Sequence, residues 1–279
     1  MAAVLLDGDA LAATLRRDMA AAVGRLPRPP RMATVLVGDD PASRAYIGRK
    51  HADCAELGIA ADLVTMPADT TPAALLDTVA RLNADHAVDG FFVQFPLPGG
   101  HDARAVAAAI APDKDIDGLA PENLGRMIAG LPGLRPCTPA AVLALLHRYD
   151  VPLAGRHVVI VGRGLLVGRP LALMLSARGV DATVTLAHSA TPDLPAQTRR
   201  ADVVIAAAGQ PGLIRADMIR PGAAVVGVGI SYVGGQMVSD LAADVAGVAG
   251  HVTPPHGSVG ALTRAMLLAN LIDAVRRHG

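Results

Sequence analysis

The sequence contains no tryptophan, and only three tyrosines and three phenylalanines among 279 residues. Since 52% of the residues are hydrophobic, the core must be built from Ala, Val, Leu and Ile, as buried parallel strands and Ala-rich helices would be. Neither charge sign is in excess: 25 basic residues balance 25 acidic ones, and no run of Lys or Arg forms a stripe. That balance argues against nucleic acid or an anionic membrane surface as the main partner. Cysteine is limited to Cys54 and Cys137, far apart and without metal-ligand spacing, so reduced cytosolic thiols and no bound metal are expected. The first residues, MAAVLLDGDALAA, lack a basic n-region and carry Asp7 and Asp9, so no signal peptide is evident. The longest weakly polar stretch, around Gly222 to Gly235, is too short and too Gly-rich to span a bilayer. The expectation is a soluble, cytoplasmic protein.

Lysine and glutamate are scarce as well. Lys50 and Lys114 stand beside 23 arginines, and Glu56 and Glu122 are the only glutamates. A coding bias toward Ala, Arg, Gly and Asp explains most of both shortages. Such a bias replaces a surface Lys by Arg at little cost, so a retained Lys is a candidate for a position that needs an ammonium able to lose its proton.

Leu11, Leu15, Met19 and Val23 recur every fourth residue and predict an amphipathic helix ending near Gly24. Met32 to Val37 is an apolar run of strand length. Asp40 before Pro41 reads as a helix cap with proline at the first helical position, and Gly58 closes that helix. A strand (Ala61 to Met66), a helix (Pro72 to Asn83) and a strongly buried strand (Gly90 to Phe95) follow. A loop-rich passage then runs on to Arg135-Pro136-Cys137-Thr138-Pro139, where Thr138 caps a helix reaching Tyr149. A second series has strands at His157 to Val161, Ala182 to Ala187, Asp202 to Ala207 and Ala223 to Val228, and a closing helix from Leu262 to His278. Strands alternating with helices imply βαβ units and parallel sheets, an α/β fold.

The first strand of the second series runs into Gly162-Arg163-Gly164-Leu165-Leu166-Val167-Gly168 and then an apolar helix. Such a turn lets backbone approach a pyrophosphate at a helix N-terminus, although a tight strand-to-helix turn in any α/β domain looks similar. Its G-x-G-x-x-x-G spacing is one residue longer than the commonest fingerprint. The next strand ends in Leu186-Ala187-His188-Ser189, without the carboxylate that an NAD enzyme uses on the ribose 2′-hydroxyl. Arg163 and Ser189 suit a 2′-phosphate instead, which favours NADP, unless Arg163 is an ordinary exposed side chain. The third and fourth strands end in Ala206-Ala207-Ala208-Gly209-Gln210-Pro211-Gly212 and Val226-Gly227-Val228-Gly229-Ile230-Ser231, Gly-rich walls for a nicotinamide.

In the first half, Tyr46 and Lys50 lie four residues apart and share a helix face. Gln94 sits where a buried strand meets its loop, the usual place for ligand contacts in a parallel sheet. Asp113, Asp115 and Asp117 share a loop with Lys114, which reads either as a solvated turn or as part of a site.

Six motifs occur in order: Ser43-x-x-Tyr46-x-x-x-Lys50; Val93-Gln94-Phe95-Pro96-Leu97-Pro98; Lys114-Asp115-Ile116-Asp117-Gly118; Pro121-x-Asn123-x-Gly125; Arg135 to Pro139; and Gly162-Arg163-x-x-x-Val167-Gly168-Arg169-Pro170. Together they resemble the methylenetetrahydrofolate dehydrogenase/methenyltetrahydrofolate cyclohydrolase family over essentially the whole chain. The resemblance implies two α/β domains with a cleft between them. Residues 1–138 would be a folate-binding catalytic domain with the closing helix 262–279 packed back on it, and residues 139–261 a Rossmann-type NADP-binding domain. It implies hydride transfer from methylenetetrahydrofolate to NADP, then hydrolysis to 10-formyltetrahydrofolate, in a homodimer. By carry-over Lys50 is the base, held and tuned by Gln94. Tyr46 aligns the folate, Asp117 pairs with the pterin's N–H groups, and Gly257 and Gly260 contact substrate. Gly162, Arg163, Gly164, Ser189 and Ile230 contact NADP. A free lysine is far too basic for this work, and burial would correct that.

The sequence also departs from the family. Gly227 replaces the Asp of D-V-G-I, Ser239 and Leu241 interrupt G-D-V, and Ala140 replaces a Gly. His256-Gly257-Ser258-Val259-Gly260-Ala261 stands for P-G-G-V-G-P, and this loop either follows a different path or reaches the same shape with help from its neighbours. These changes leave open an enzyme that keeps the cyclohydrolase and has an impaired dehydrogenase, a pathway-dedicated paralogue, or a noncatalytic NADP- or folate-binding protein. The retained Tyr46, Lys50, Gln94 and Asp117 argue against the last.

Overall fold

Short runs of Val, Ile, Leu and Ala form the main strands, because only strands covered on both faces bury so many apolar residues in succession. The computed structural model describes residues 2–255 and 257–278. A two-residue strand, β1 (Val4–Leu5), leads into α1 (Gly8–Val23). Then β2 (Arg31–Val37), α2 (Pro41–Glu56), β3 (Ala60–Met66), α3 (Pro72–Ala84) and β4 (Gly90–Val93) alternate. Two short helices, α4 (Ala103–Ala109) and α5 (Pro121–Ile128), precede α6 (Cys137–Arg148). The second series is β5 (His157–Val161), α7 (Gly168–Ser176), β6 (Thr183–Ala187), α8 (Leu194–Thr198), β7 (Val203–Ala206) and β8 (Ala224–Gly227). A ribbon of β9 (Ile230–Val233) and β10 (Gln236–Ser239), a short β11 (His251–Val252) and α9 (Val259–His278) complete the chain.

Several elements differ from the sequence expectation, and α6 begins at Cys137, so that Thr138 lies inside the helix and does not cap it. The passage after β4 is not simply loop: α4 starts where Asp102 accepts from the Arg104 N–H at 2.8 Å, and α5 starts with Pro121 in its first turn. Seven and eight residues are too few to display a helical period. The β9–β10 ribbon turns on Gly234-Gly235, both at positive φ, a two-glycine hairpin signal readable in the sequence.

The chain divides into two compact units. One holds Thr14–Cys137 and the residues from Arg264 onward. Its sheet has the order β3-β2-β4, all parallel. Alternation along the strands splits its core: Ala33, Val35, Phe91 and Val93 pack with Leu75 and Val79, whereas Met32 and Phe92 pack with Cys54, Ile116, Leu267, Leu268 and Leu271. The closing helix therefore covers one face of this sheet.

The other unit holds the residues up to Ala13 and Thr138–Thr263. Its parallel sheet runs β1-β11-β8-β7-β5-β6. Val4–Leu5 pairs with His251–Val252, so the first strand joins this sheet, whereas the sequence reading puts it in a domain of residues 1–138. A two-residue strand carries too little pattern to be assigned without its partner. β6 and β7 flank β5 on opposite sides, which makes the end of β5 the topological switch point where α/β sheets bind ligands. Among the described residues no helix is long and apolar enough to cross a membrane.

Candidate active site

α2 begins where Asp40 accepts from the Ser43 N–H at 2.7 Å, with Pro41 in its first turn. Its buried face carries Ile47, Lys50, Asp53 and Cys54. Lys50 is only 5% exposed, and its Nζ lies 3.6 Å from the centroid of Phe92 and 4.9 Å from that of Tyr46. Both rings offer their faces to an ammonium. Among the described residues Nζ has no hydrogen-bond partner. Burial pushes the Lys50 pKa below its ordinary value, opposed by the Asp117 carboxylate and assisted by the Arg264 guanidinium. Burial pushes Asp117 up, opposed by Lys50. The Tyr46 phenol is raised by burial and by Asp117. Burial thus disfavours both charges, and the opposite charge of each group offsets only part of that for the other.

Phe92 is absent from the sequence-based site. An aromatic in a buried strand reads as core, and nothing local marks it as a seat for a cation. Gln94 follows β4, its N–H donating to the Val35 carbonyl at 2.9 Å and its Nε2 to the Phe95 carbonyl at 2.6 Å. It is not hydrogen-bonded to Lys50, contrary to the role as a direct holder. Its Oε1 is buried with no partner among the described residues, an acceptor left for a donor from outside the chain.

The three loop aspartates separate. Asp113 is exposed, 3.7 Å from Arg126. Asp115 is 1% exposed, and its Oδ2 accepts from the Ala120 N–H at 2.7 Å and the Asn123 Nδ2 at 2.9 Å. Burial raises the Asp115 pKa to about 6. The P-x-N-x-G motif therefore braces the loop through Asn123 and Asp115, and Asp117 is the loop carboxylate whose charge acts on Lys50. Arg264 Nε meets Asp53 Oδ2 at 2.6 Å, one turn beyond Lys50.

In the other unit, Gly162 has a φ of 123°, and a Cβ there would overlap the Ala207 carbonyl. A Cβ on Gly168 would overlap the Gly162 carbonyl, so this turn closes only on glycine. Gly164 is exposed and has open space about its would-be Cβ. Arg163 and Ser189 are exposed at the ends of β5 and β6, with Arg163 NH1 3.3 Å from His188 Nε2. Beside them Asp240, fully buried and not singled out from sequence, accepts at Oδ2 from the Ala208 and Gly209 N–H groups at 2.7 and 3.0 Å. Ile230 is 44% exposed at the start of the ribbon. Gly257 and Gly260 belong to this unit, not to the one holding Lys50.

The family model for the catalytic domain of tetrahydrofolate dehydrogenase/cyclohydrolase matches residues 6–117, and that for its NAD(P)-binding domain matches residues 136–279. The chain belongs to the tetrahydrofolate dehydrogenase/cyclohydrolase family. A bifunctional methylenetetrahydrofolate dehydrogenase/cyclohydrolase from Campylobacter jejuni is 38% identical over 100% of both chains, with a TM-score of 0.96. The dehydrogenase-cyclohydrolase from Trypanosoma brucei, solved with NADP cofactor and inhibitor, is 36% identical over 100% of this chain and 99% of that one, with a TM-score of 0.93.

Set against the pattern of the tetrahydrofolate dehydrogenase/cyclohydrolase family, three of the departures are one local event. A Cβ at Gly227 would stand 2.8 Å from Ser239 Oγ and 3.0 Å from Leu241 Cγ, so those two side chains fill the space that a larger residue at 227 would need. Of the two courses open to the altered loop from sequence, the backbone at Ser258 takes a glycine-like turn. Ser258 adopts a φ of 66°, its hydroxyl donating to the Leu6 carbonyl at 2.8 Å and accepting from the Gly8 N–H at 3.2 Å. Those bonds offset a left-handed backbone that costs a non-glycine residue roughly 1–2 kcal/mol. Ala261 lies in the first turn of α9, and His256 lies outside the described residues.

Proposed function

We propose that Lys50, Tyr46, Gln94 and Asp117 form the folate-handling centre, and that the Gly162–Gly168 turn with Arg163, Ser189 and Ile230 holds NADP. The enzyme oxidises methylenetetrahydrofolate to methenyltetrahydrofolate with NADP and hydrolyses the product to 10-formyltetrahydrofolate, two steps of one-carbon metabolism. The observation that carries the site assignment is Lys50, buried on two aromatic faces with its pKa lowered.

Asp117 offers two acceptor oxygens to the pterin's amino and ring N–H groups, and the orphaned Oε1 of Gln94 accepts a further N–H or water proton. Tyr46 stacks on or aligns the ring system. Lys50, deprotonated by desolvation and by the approach of the cationic methenyl group, takes the proton from water as that water attacks the one-carbon unit. NADP when bound supplies the hydride acceptor. The turn fits it: glycines that admit no Cβ at Gly162 and Gly168 bring backbone to the pyrophosphate, and the exposed Arg163 and Ser189 meet the 2′-phosphate. The exposed ribbon residues Tyr232 and Val233 are the proposed contact with a second copy, and the two buried free thiols suit a reducing cytoplasm.

An absorbance assay with methylenetetrahydrofolate and each nicotinamide cofactor tests the reading. Reduced NADP should accumulate while the methenyl absorbance decays faster with enzyme than without. An enzyme that forms the methenyl compound and leaves its decay unaccelerated would remove Lys50 from the proposed role.

A further inference from the structure

Asn270 lies on α9 among Leu267, Leu268, Leu271 and Ile272, which press into the apolar cluster of Phe92, Ile116 and Cys137. A carboxamide in that company needs partners, and it has them. Its Nδ2 donates to the Ile116 and Arg135 carbonyls, each at 2.8 Å, and lies 3.5 Å from Cys137 Sγ. Two carbonyl oxygens facing one side chain call for an NH₂ group, with its two protons.

What Asn270 grips is the backbone on either side of the site. Ile116 immediately precedes Asp117. The Ile116 carbonyl accepts a second bond from Cys137 Sγ at 3.1 Å, and the Asp117 carbonyl accepts from the Cys137 N–H at 3.2 Å. The following Gly118, at a φ of 72°, is pressed so closely onto the Arg135 carbonyl that a Cβ would overlap it. On the opposite side, the Phe91 N–H donates to the Lys114 carbonyl at 2.9 Å, tying the same segment to the strand that bears Phe92. The Asp117 segment is therefore clamped between β4 and the Arg135–Cys137 stretch, and Asn270 is the side chain that bridges both peptide chains of that clamp.

We propose that Asn270 is a positioning residue that sets the Asp117 carboxylate against Lys50, and so determines folate affinity without touching the folate. The proposal rests on Asp117 being the pterin contact. Loss of the Nδ2 donor frees the Arg135 carbonyl and leaves the Ile116 carbonyl held by the Cys137 thiol alone, and the Asp117 backbone gains freedom it lacks in the parent. The effect should pass entirely through Asp117, and a double-mutant cycle separates that from general loosening.

Tetrahydrofolate and NADP dissociation constants measured by calorimetry on the full chain decide it. Asn270→Leu, which keeps the volume and the apolar packing, should weaken tetrahydrofolate by about tenfold or more and leave NADP unchanged. In an Asp117→Asn background the same substitution should change tetrahydrofolate affinity by less than about twofold. Equal losses in both backgrounds, or no loss in the parent, would overturn the positioning role. Should Asn270→Leu not fold, Cys137→Ala takes its place in the cycle. It removes the thiol bond to Ile116 and the contact of Asn270 with the sulfur, with an expected loss of about threefold that disappears when Asp117 is Asn, and additivity there also counts against the proposal. An Asp117→Asn variant that binds tetrahydrofolate like the parent defeats the reading beneath the proposal and the proposal with it, whereas additivity defeats positioning alone.

Discussion

The two units solve the problem of a binding site in opposite ways. In the centre proposed around Lys50 the chemistry is assigned to side chains: an amine, a carboxylate and an orphaned amide oxygen, all set in apolar surroundings. In the NADP site proposed around Gly162 the work is assigned to backbone, and the side chains there are defined by absence, since Gly162 and Gly168 have no room for a Cβ. The difference follows from the tasks. Moving a proton needs a group whose pKa can be shifted, and burial is the means. Holding a pyrophosphate needs N–H groups at close range, which a Cβ obstructs.

The largest effect should come from removing the shifted group. Lys50→Arg keeps a cation over the rings but cannot act as a base, so the cyclohydrolase rate should fall by about 10²–10⁴-fold. NADP affinity and the far-ultraviolet dichroism should stay as in the parent. Hydrolysis of methenyltetrahydrofolate at the parental rate would break the comparison at its first term.

On the cofactor side one side chain is expected to matter. Arg163→Ala should weaken NADP by roughly 10–100-fold, the cost of one charge-assisted phosphate contact of about 1.5–3 kcal/mol, while NAD binding hardly moves. Equal losses for the two cofactors in a titration would make that crevice a matter of backbone alone.

A smaller effect tests whether a buried carboxylate is a brace rather than a reactant. Asp115 titrates at about 6 in the folded protein against 3.8 when unperturbed. Between those values the folded state binds more protons than the unfolded one, so this group's contribution to stability is present at low pH and is lost as pH rises through about 6. The hydrogen bonds from Ala120 and Asn123 both go to Oδ2, so Asp115→Asn can keep them through its amide oxygen. The variant's melting temperature relative to the parent should therefore climb between pH 4 and pH 6, with a gain of roughly 1–3 kcal/mol at pH 7. A gap that is flat across this range would place the raised pKa elsewhere.

The least effect is expected at Ser258. Ser258→Gly relieves left-handed backbone but loses the bonds to Leu6 and Gly8, so the two changes, each of about 1 kcal/mol, nearly cancel. Melting temperature and both activities should stay close to the parent. A clear rise in dehydrogenase kcat/KM would show instead that the serine holds this loop in a less productive form.

Much of the fold was legible locally. Asp40-Pro41 announces α2, strand-length apolar runs announce β2, β4, β5 and β7, and four-residue spacing puts Tyr46 and Lys50 on one helix face. Caps, periods and turn glycines act over a few residues, and the sequence by itself determined them. The tertiary structure alone decided which of three loop aspartates acts on Lys50 through its charge, that Phe92 seats the Lys50 Nζ, and that β1 belongs to the larger sheet. It also decided that Gly227, Ser239 and Leu241 form one compensated site, and that Asn270 reaches across more than a hundred residues to grip Ile116 and Arg135. The reason is physical: a buried charge or an orphaned carbonyl is settled by whatever packing brings against it, and those neighbours are fixed by the sheet register and helix crossings rather than by proximity along the chain.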